Sequence, residues 1–183
     1  MKRMMYLWVV MIIALAGCQN QGTKQNNKTT EQDVKKAEAA LFNADHSTNK
    51  EAVPEAIATF HQFAVDNPED ALAPEYLFKA LEVSVNTKQD PAGSVLLCEK
   101  LLEKYPDFDK NPVALFMLAS FVYDDQMDDM DQARATYQRI IDNYPDSPFA
   151  KDAAISIGQL GMSPDDLVKM FEETENGERR TEN

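Results

Sequence analysis

Two cysteines, two histidines and a crowd of aspartates are the side chains here whose types could do chemistry. Cys98 is a potential nucleophile, but it falls inside a helical apolar pattern, so it reads as a buried structural thiol. His46 and His61, even taken with Cys98, make no metal-ligand spacing. Asp124, Asp125, Asp128, Asp129 and Asp131 share one loop. A calcium loop needs alternate ligands, a glycine at its turn and a closing glutamate. Here the glycine is absent and Met127 and Met130 interrupt, so the loop reads as a solvated turn with a helix cap. No glycine-rich phosphate loop, nucleophile elbow or paired-carboxylate motif stands out. The expectation is a non-enzyme with no catalytic residue, no metal and no cofactor.

Cys18 is different because of what precedes it. Lys2 and Arg3 are followed by an uncharged, almost wholly apolar run from Met4 to Leu15. That is the length of a signal h-region and well short of the roughly 20 residues that span a bilayer. Leu15-Ala16-Gly17-Cys18 then resembles the lipobox of bacterial lipoproteins. The resemblance implies that Cys18 takes a diacylglyceryl group, that residues 1–17 are a signal peptide, and that Cys18 becomes the first residue of the mature chain. Gln19 to Thr30 (QNQGTKQNNKTT) contains no apolar residue. With Cys18 it reads as a flexible tether over residues 18–30. Asn20, close behind Cys18, is not an aspartate. By resemblance to the sorting rule of Gram-negative lipoproteins, this implies the periplasmic face of the outer membrane. The formal net charge of −13 argues against nucleic acid and against electrostatic adhesion to anionic lipid.

Three segments align on their last residue: Glu55–Pro68 (EAIATFHQFAVDNP), Gly93–Pro106 (GSVLLCEKLLEKYP) and Gln132–Pro145 (QARATYQRIIDNYP), spaced 38 and 39 residues apart. Twelve places before each proline stands Ala56, Ser94 or Ala133. Eight before stands Phe60, Cys98 or Tyr137. Five and four before stand Phe63-Ala64, Leu101-Leu102 and Ile140-Ile141. Steps of four, three and four trace one face of an α-helix, and the proline stops it. This resembles the second helix of the tetratricopeptide repeat. The resemblance covers roughly residues 31–160. The period exceeds the family's 34, and the family's alanine five places before the proline is replaced by Phe63, Leu101 and Ile140. Residues 137–153 (YQRIIDNYPDSPFAKDA) are similar to repeats of periplasmic lipoproteins of the BamD and YbgF/CpoB kind.

The partner helices are expected near 31–46, 71–86, 111–124 and 148–159, with extra residues in the turns Asn86–Asp90 and Asp124–Met130. Asp90 before Pro91 is an expected N-cap, Asp129-x-x-Gln132 an expected capping box, and Ser163 the start of a capping helix over 163–174. Pro112 to Tyr123 carries no charge, so it is expected to be a helix buried on all sides. The aromatics, Phe121 among them, are expected in the core. The fold expected is an all-α, tetratricopeptide-like α-solenoid of about three to four hairpins over 31–174, with a disordered tail at 175–183. The resemblance implies a membrane-anchored periplasmic interaction scaffold whose concave surface holds an envelope protein or peptide. Outer-membrane protein assembly or envelope coordination would be its process. The alternative is a lipoprotein that binds a small ligand or glycan.

Overall fold

The structure, a computed structural model, describes residues 28–170 and 172. The expected signal peptide at 1–17, Cys18 and the expected tail at 175–183 lie outside the described residues. Seven helices follow one another: α1 (Glu31–Ala40), α2 (Val53–Asp66), α3 (Ala73–Thr87), α4 (Pro91–Lys104), α5 (Asn111–Met117, continued by a wider turn over Leu118–Asp124), α6 (Met130–Asn143) and α7 (Pro148–Gln159). A short helix at 164–170 comes last. The helices pair as hairpins α1/α2, α3/α4 and α5/α6, and each hairpin packs on the next. The fold is the all-α, tetratricopeptide-like helical repeat that the sequence led us to expect.

Proline and side-chain caps set the helix starts. Pro54, Pro74, Pro91, Pro112 and Pro148 each stand in a first turn, where the missing N–H costs nothing. Asp90 Oδ1 accepts from Gly93 N at 2.9 Å, and Asp129 Oδ1 from Gln132 N at 3.0 Å. Only this forward half of the expected Asp129–Gln132 box forms. Thr30 and Asp33 make a full reciprocal box at the start of α1. Ser163 Oγ accepts from Asp166 N at the start of the last helix.

The joints repeat in atomic detail. Asn67, Tyr105 and Tyr144 end α2, α4 and α6 with nearly the same backbone, φ between −130 and −135° and ψ between 52 and 64°. Each accepts a hydrogen bond at its carbonyl from the residue three places on: Asp70, Phe108 and Ser147. At the second joint Asn111 is fully buried, and its Nδ2 donates to the carbonyls of Tyr105 and Pro106.

The apolar frame closes as its spacing requires. Ala56, Ser94 and Ala133 are buried, as are Phe60, Cys98 and Tyr137, and Phe63, Leu101 and Ile140. Ser94, the polar member, shares a 2.7 Å hydrogen bond with Ser84, so its burial leaves no hydroxyl unpaired. The core has two parts. Val34, Leu41, Val53, Ala56, Phe60, Phe63 and Ala80 form the N-terminal cluster. A larger one runs from Ala64, at the end of α2, to Ala153 in α7.

Four expectations need correction. Helix α1 stops at Ala40 rather than near 46. Asn43, Asp45, Ser47 and Asn49 offer the backbone side-chain partners that compete with a helix. Ser47 N and Oγ both donate to Asp45, Asn49 Nδ2 donates to the Ala40 carbonyl, and His46 takes a left-handed φ of 63°. The residues beyond the usual period are not all in the turn at 86–90, because α3 runs through Thr87 and Lys88 caps it with a left-handed φ of 54°. The folded contacts also begin before Glu31. Thr29 N and Oγ1 both donate to Asp66 Oδ2 at 2.8 Å, and Asn67 Nδ2 donates to the Thr29 carbonyl.

The fourth correction is α5. Val113, Phe116, Met117 and Ser120 are only half-buried and Phe121 is 46% exposed, while Pro112, Ala114, Leu115, Leu118, Ala119 and Val122 are buried. The uncharged segment therefore has a partly open apolar stripe. From Leu118 the helix widens, with Asp125 N bonded to the Ser120 carbonyl and Met127 N to that of Val122, each five residues back. Such widened turns are frequent at functional sites.

Candidate functional site

The first helices α1, α3, α5 and α7 line one face, and the second helices α2, α4 and α6 the other. Ion pairs cross the first-helix face from one repeat to the next. Glu38 pairs with Lys79, Glu75 Oε2 with Lys110 Nζ at 2.6 Å, and Lys88 with Asp125. Lys110 Nζ also lies 5.4 Å from the Phe78 ring and 5.9 Å from that of Phe108. The hydrogen bond that Lys110 donates to Glu75 raises the Lys110 pKa, with desolvation opposing. Glu82 is half-buried among these charges. Burial pushes its carboxyl up, Lys110 and Lys79 pull it down, and Glu75 pushes it up again.

Beside this charged strip runs the open apolar stripe of α5. Phe116 is held edge-on by Tyr137 at 5.3 Å and tilted against Phe149 at 5.6 Å. Phe121 shares a shallow hollow with Val85, Asn86, Asp124 and Asp125. Tyr76 is half-buried, edge-on to Phe63 at 4.7 Å, and burial raises its pKa. An apolar stripe flanked by charges of both signs can hold a peptide's side chains and orient its polar groups.

The second-helix face carries a ladder of its own. Counted from the joint proline, position −7 of one repeat meets position −6 of the next. Glu99 and Arg139 meet in this way through two hydrogen bonds of 2.6 and 3.1 Å. One repeat earlier the same positions hold His61 and Lys100, with Nε2 2.6 Å from Nζ. The spacing that reveals the core frame also contains this register. Apolar spacing does not reveal it, because both positions of each rung are polar.

The residues singled out for chemistry do not gather. His46 lies in the loop after α1, His61 on the second-helix face, and Cys98 in the core. The aspartates divide among separate tasks: Asp125 pairs with Lys88, Asp129 caps α6, and Asp128 takes a left-handed φ of 54°. Among the described residues no three His, Cys, Asp or Glu side chains form a metal-sized cluster. Burial pushes the Cys98 thiol up to about 12, with Glu99 adding to the shift and Arg139 opposing it. At pH 8 roughly one molecule in ten thousand would carry the thiolate that reacts. A thiol reagent should therefore label Cys98 at least about a hundredfold more slowly in the folded chain than in denaturant. Equal rates would place the thiol at the surface.

The family model for the tetratricopeptide repeat matches residues 113–147. That span starts in α5, takes in the widened turn and α6, and ends on the joint at Ser147. No curated protein matches the chain. The chain thus contains a tetratricopeptide-type repeat within a tetratricopeptide-like fold. Repeats of this type are characteristically non-catalytic modules for protein–protein interaction.

Proposed function

We propose that this protein is a membrane-anchored periplasmic scaffold, held at the outer membrane by lipid on Cys18. It presents its first-helix face to another envelope protein. Outer-membrane protein assembly and envelope coordination are the processes that the resemblance suggests. The observation that carries the reading is the open apolar stripe of α5. A helix with no charge over twelve residues exposes Phe121 in a hollow it shares with Lys88, Asp124 and Asp125, where a lone domain would be better served by a polar side chain.

A photo-crosslinking residue in place of Phe121 or Met117, in intact cells, tests this. We expect both positions to capture one envelope protein identifiable by mass spectrometry, and Gln138, exposed on α6, to capture none. Absence of product at Phe121 and Met117, or the same product at Gln138, would remove the first-helix face as the interaction surface.

A further inference from the structure

The two rungs of the second-helix ladder differ in chemistry. At the second junction Arg139 has a carboxylate partner, Glu99. At the first, Lys100 faces His61 instead. Burial and the nearby ammonium both lower the His61 pKa, so at neutral pH the imidazole is uncharged and accepts a hydrogen bond. Among the described residues Lys100 has no ion-pair partner. It holds a position whose counterpart one repeat later is neutralised.

The same junction is open. A cleft of about 380 Å³ lies between α2 and α4, its walls including Val53, Pro54 and Ile57 on one side and Leu96, Leu97 and Lys100 on the other. Leu96 is 70% exposed, more than any other large apolar side chain among the described residues. The preceding helix explains the opening. Tyr123 of α5 lies beside Glu99 and Arg139 at the second junction, whereas α3 brings only Ser84 and Thr87 to the first. Three other polar groups of the cleft are already engaged, and Gln89 is uncharged and exposed. Ser84 bonds Ser94, Thr87 Oγ1 donates to the Val83 carbonyl, and Asp90 accepts from Gly93 N. Lys100 alone lacks the partner that its repeat position calls for.

We propose that this cleft binds a small aliphatic carboxylate, with its apolar body on Ile57, Leu96 and Leu97 and its carboxylate on Lys100. The ligand anion supplies Lys100, beside His61, with the negative charge that Glu99 supplies to Arg139 at the next junction. The volume lies near the small end of ligand pockets, about 300–1,000 Å³, and the apolar walls, Ile57, Leu96 and Leu97 among them, are aliphatic. The site lies on the face opposite the α5 stripe, so it stands or falls separately from the scaffold reading.

The test is a titration of sodium octanoate into the full chain, followed by the His61 ring resonances; His46→Gln assigns them. Bound carboxylate offsets the Lys100 charge, so we expect a saturable shift with the His61 pKa rising. Lys100→Gln should weaken binding about tenfold, and Lys100→Arg should restore it. Octylamine should not bind and octanol should bind more weakly. No saturable response to octanoate, equal binding of octylamine, or undiminished binding to Lys100→Gln would overturn the proposal. So would a photo-crosslinker at Leu96 that captures a second copy or another protein which octanoate does not displace.

Discussion

Tyr137→Ala should lower stability by about 3–5 kcal/mol, the usual range for removing a large buried aromatic side chain. Tyr137 is 2% exposed and stands in the frame position shared with Phe60 and Cys98. Its ring holds Phe116, which in turn leans on Phe149, so one truncation loosens α5, α6 and α7 together. A domain of this size has about 5–15 kcal/mol to lose, and the melting midpoint should fall by about 10 °C or more. The damage should also be local. The N-terminal cluster around Phe60 is a separate part of the core, and a repeat array is stabilised mainly by nearest-neighbour contacts. Hydrogen exchange should therefore accelerate in α5 to α7 well before α1 and α2. A melting shift of a degree or two, or uniform loss of protection, would mean that Tyr137 does not occupy the repeat's core position.

That residue was legible in the sequence because one physical constraint acts at every repeat. A helix buried on one face needs apolar side chains at three- and four-residue steps, and the joint proline fixes where counting starts. The buried small residue, the core residue eight before the proline and the pair that follows all came from this rule. The widened end of α5 did not, because its sequence LASFVYD contains neither proline nor glycine to mark a departure from regular geometry. The loop after α1 has visible signals in Asn43, Asp45, Ser47 and Asn49, whose side chains compete with the helix that apolar spacing alone suggests. Hydropathy puts Phe121 in the core because it cannot tell a buried face from an exposed apolar one. The cleft beside Lys100 arises from small side chains on α3, three-dimensional neighbours that no local pattern names.

Anchor and fold should separate cleanly, and Cys18→Ala is the substitution that separates them. Lipid on Cys18 is the only membrane attachment the reading provides. Among the described residues no helix is long and apolar enough to cross a bilayer. Each buried acyl methylene contributes about 0.8 kcal/mol, so two or three chains on one residue hold a protein without help from its surface. We expect wild-type chain to fractionate with membranes and to carry an acylated residue 18 by mass spectrometry. Cys18→Ala should carry none, and its unprocessed precursor should be held back by the Met4–Leu15 run. The fold should be indifferent, because its outermost described contacts are those of Thr29 with Asp66 and Asn67. A fragment of residues 28–172 should be soluble, strongly helical and cooperative in melting. One starting at Glu31 should be weaker by about 1–2 kcal/mol, since it loses both the Thr30–Asp33 cap and the Thr29 bonds. Wild-type chain without acyl groups would end the lipoprotein reading while leaving the repeat fold untouched. A 28–172 fragment that fails to fold would mean instead that the membrane or a bound partner completes the domain.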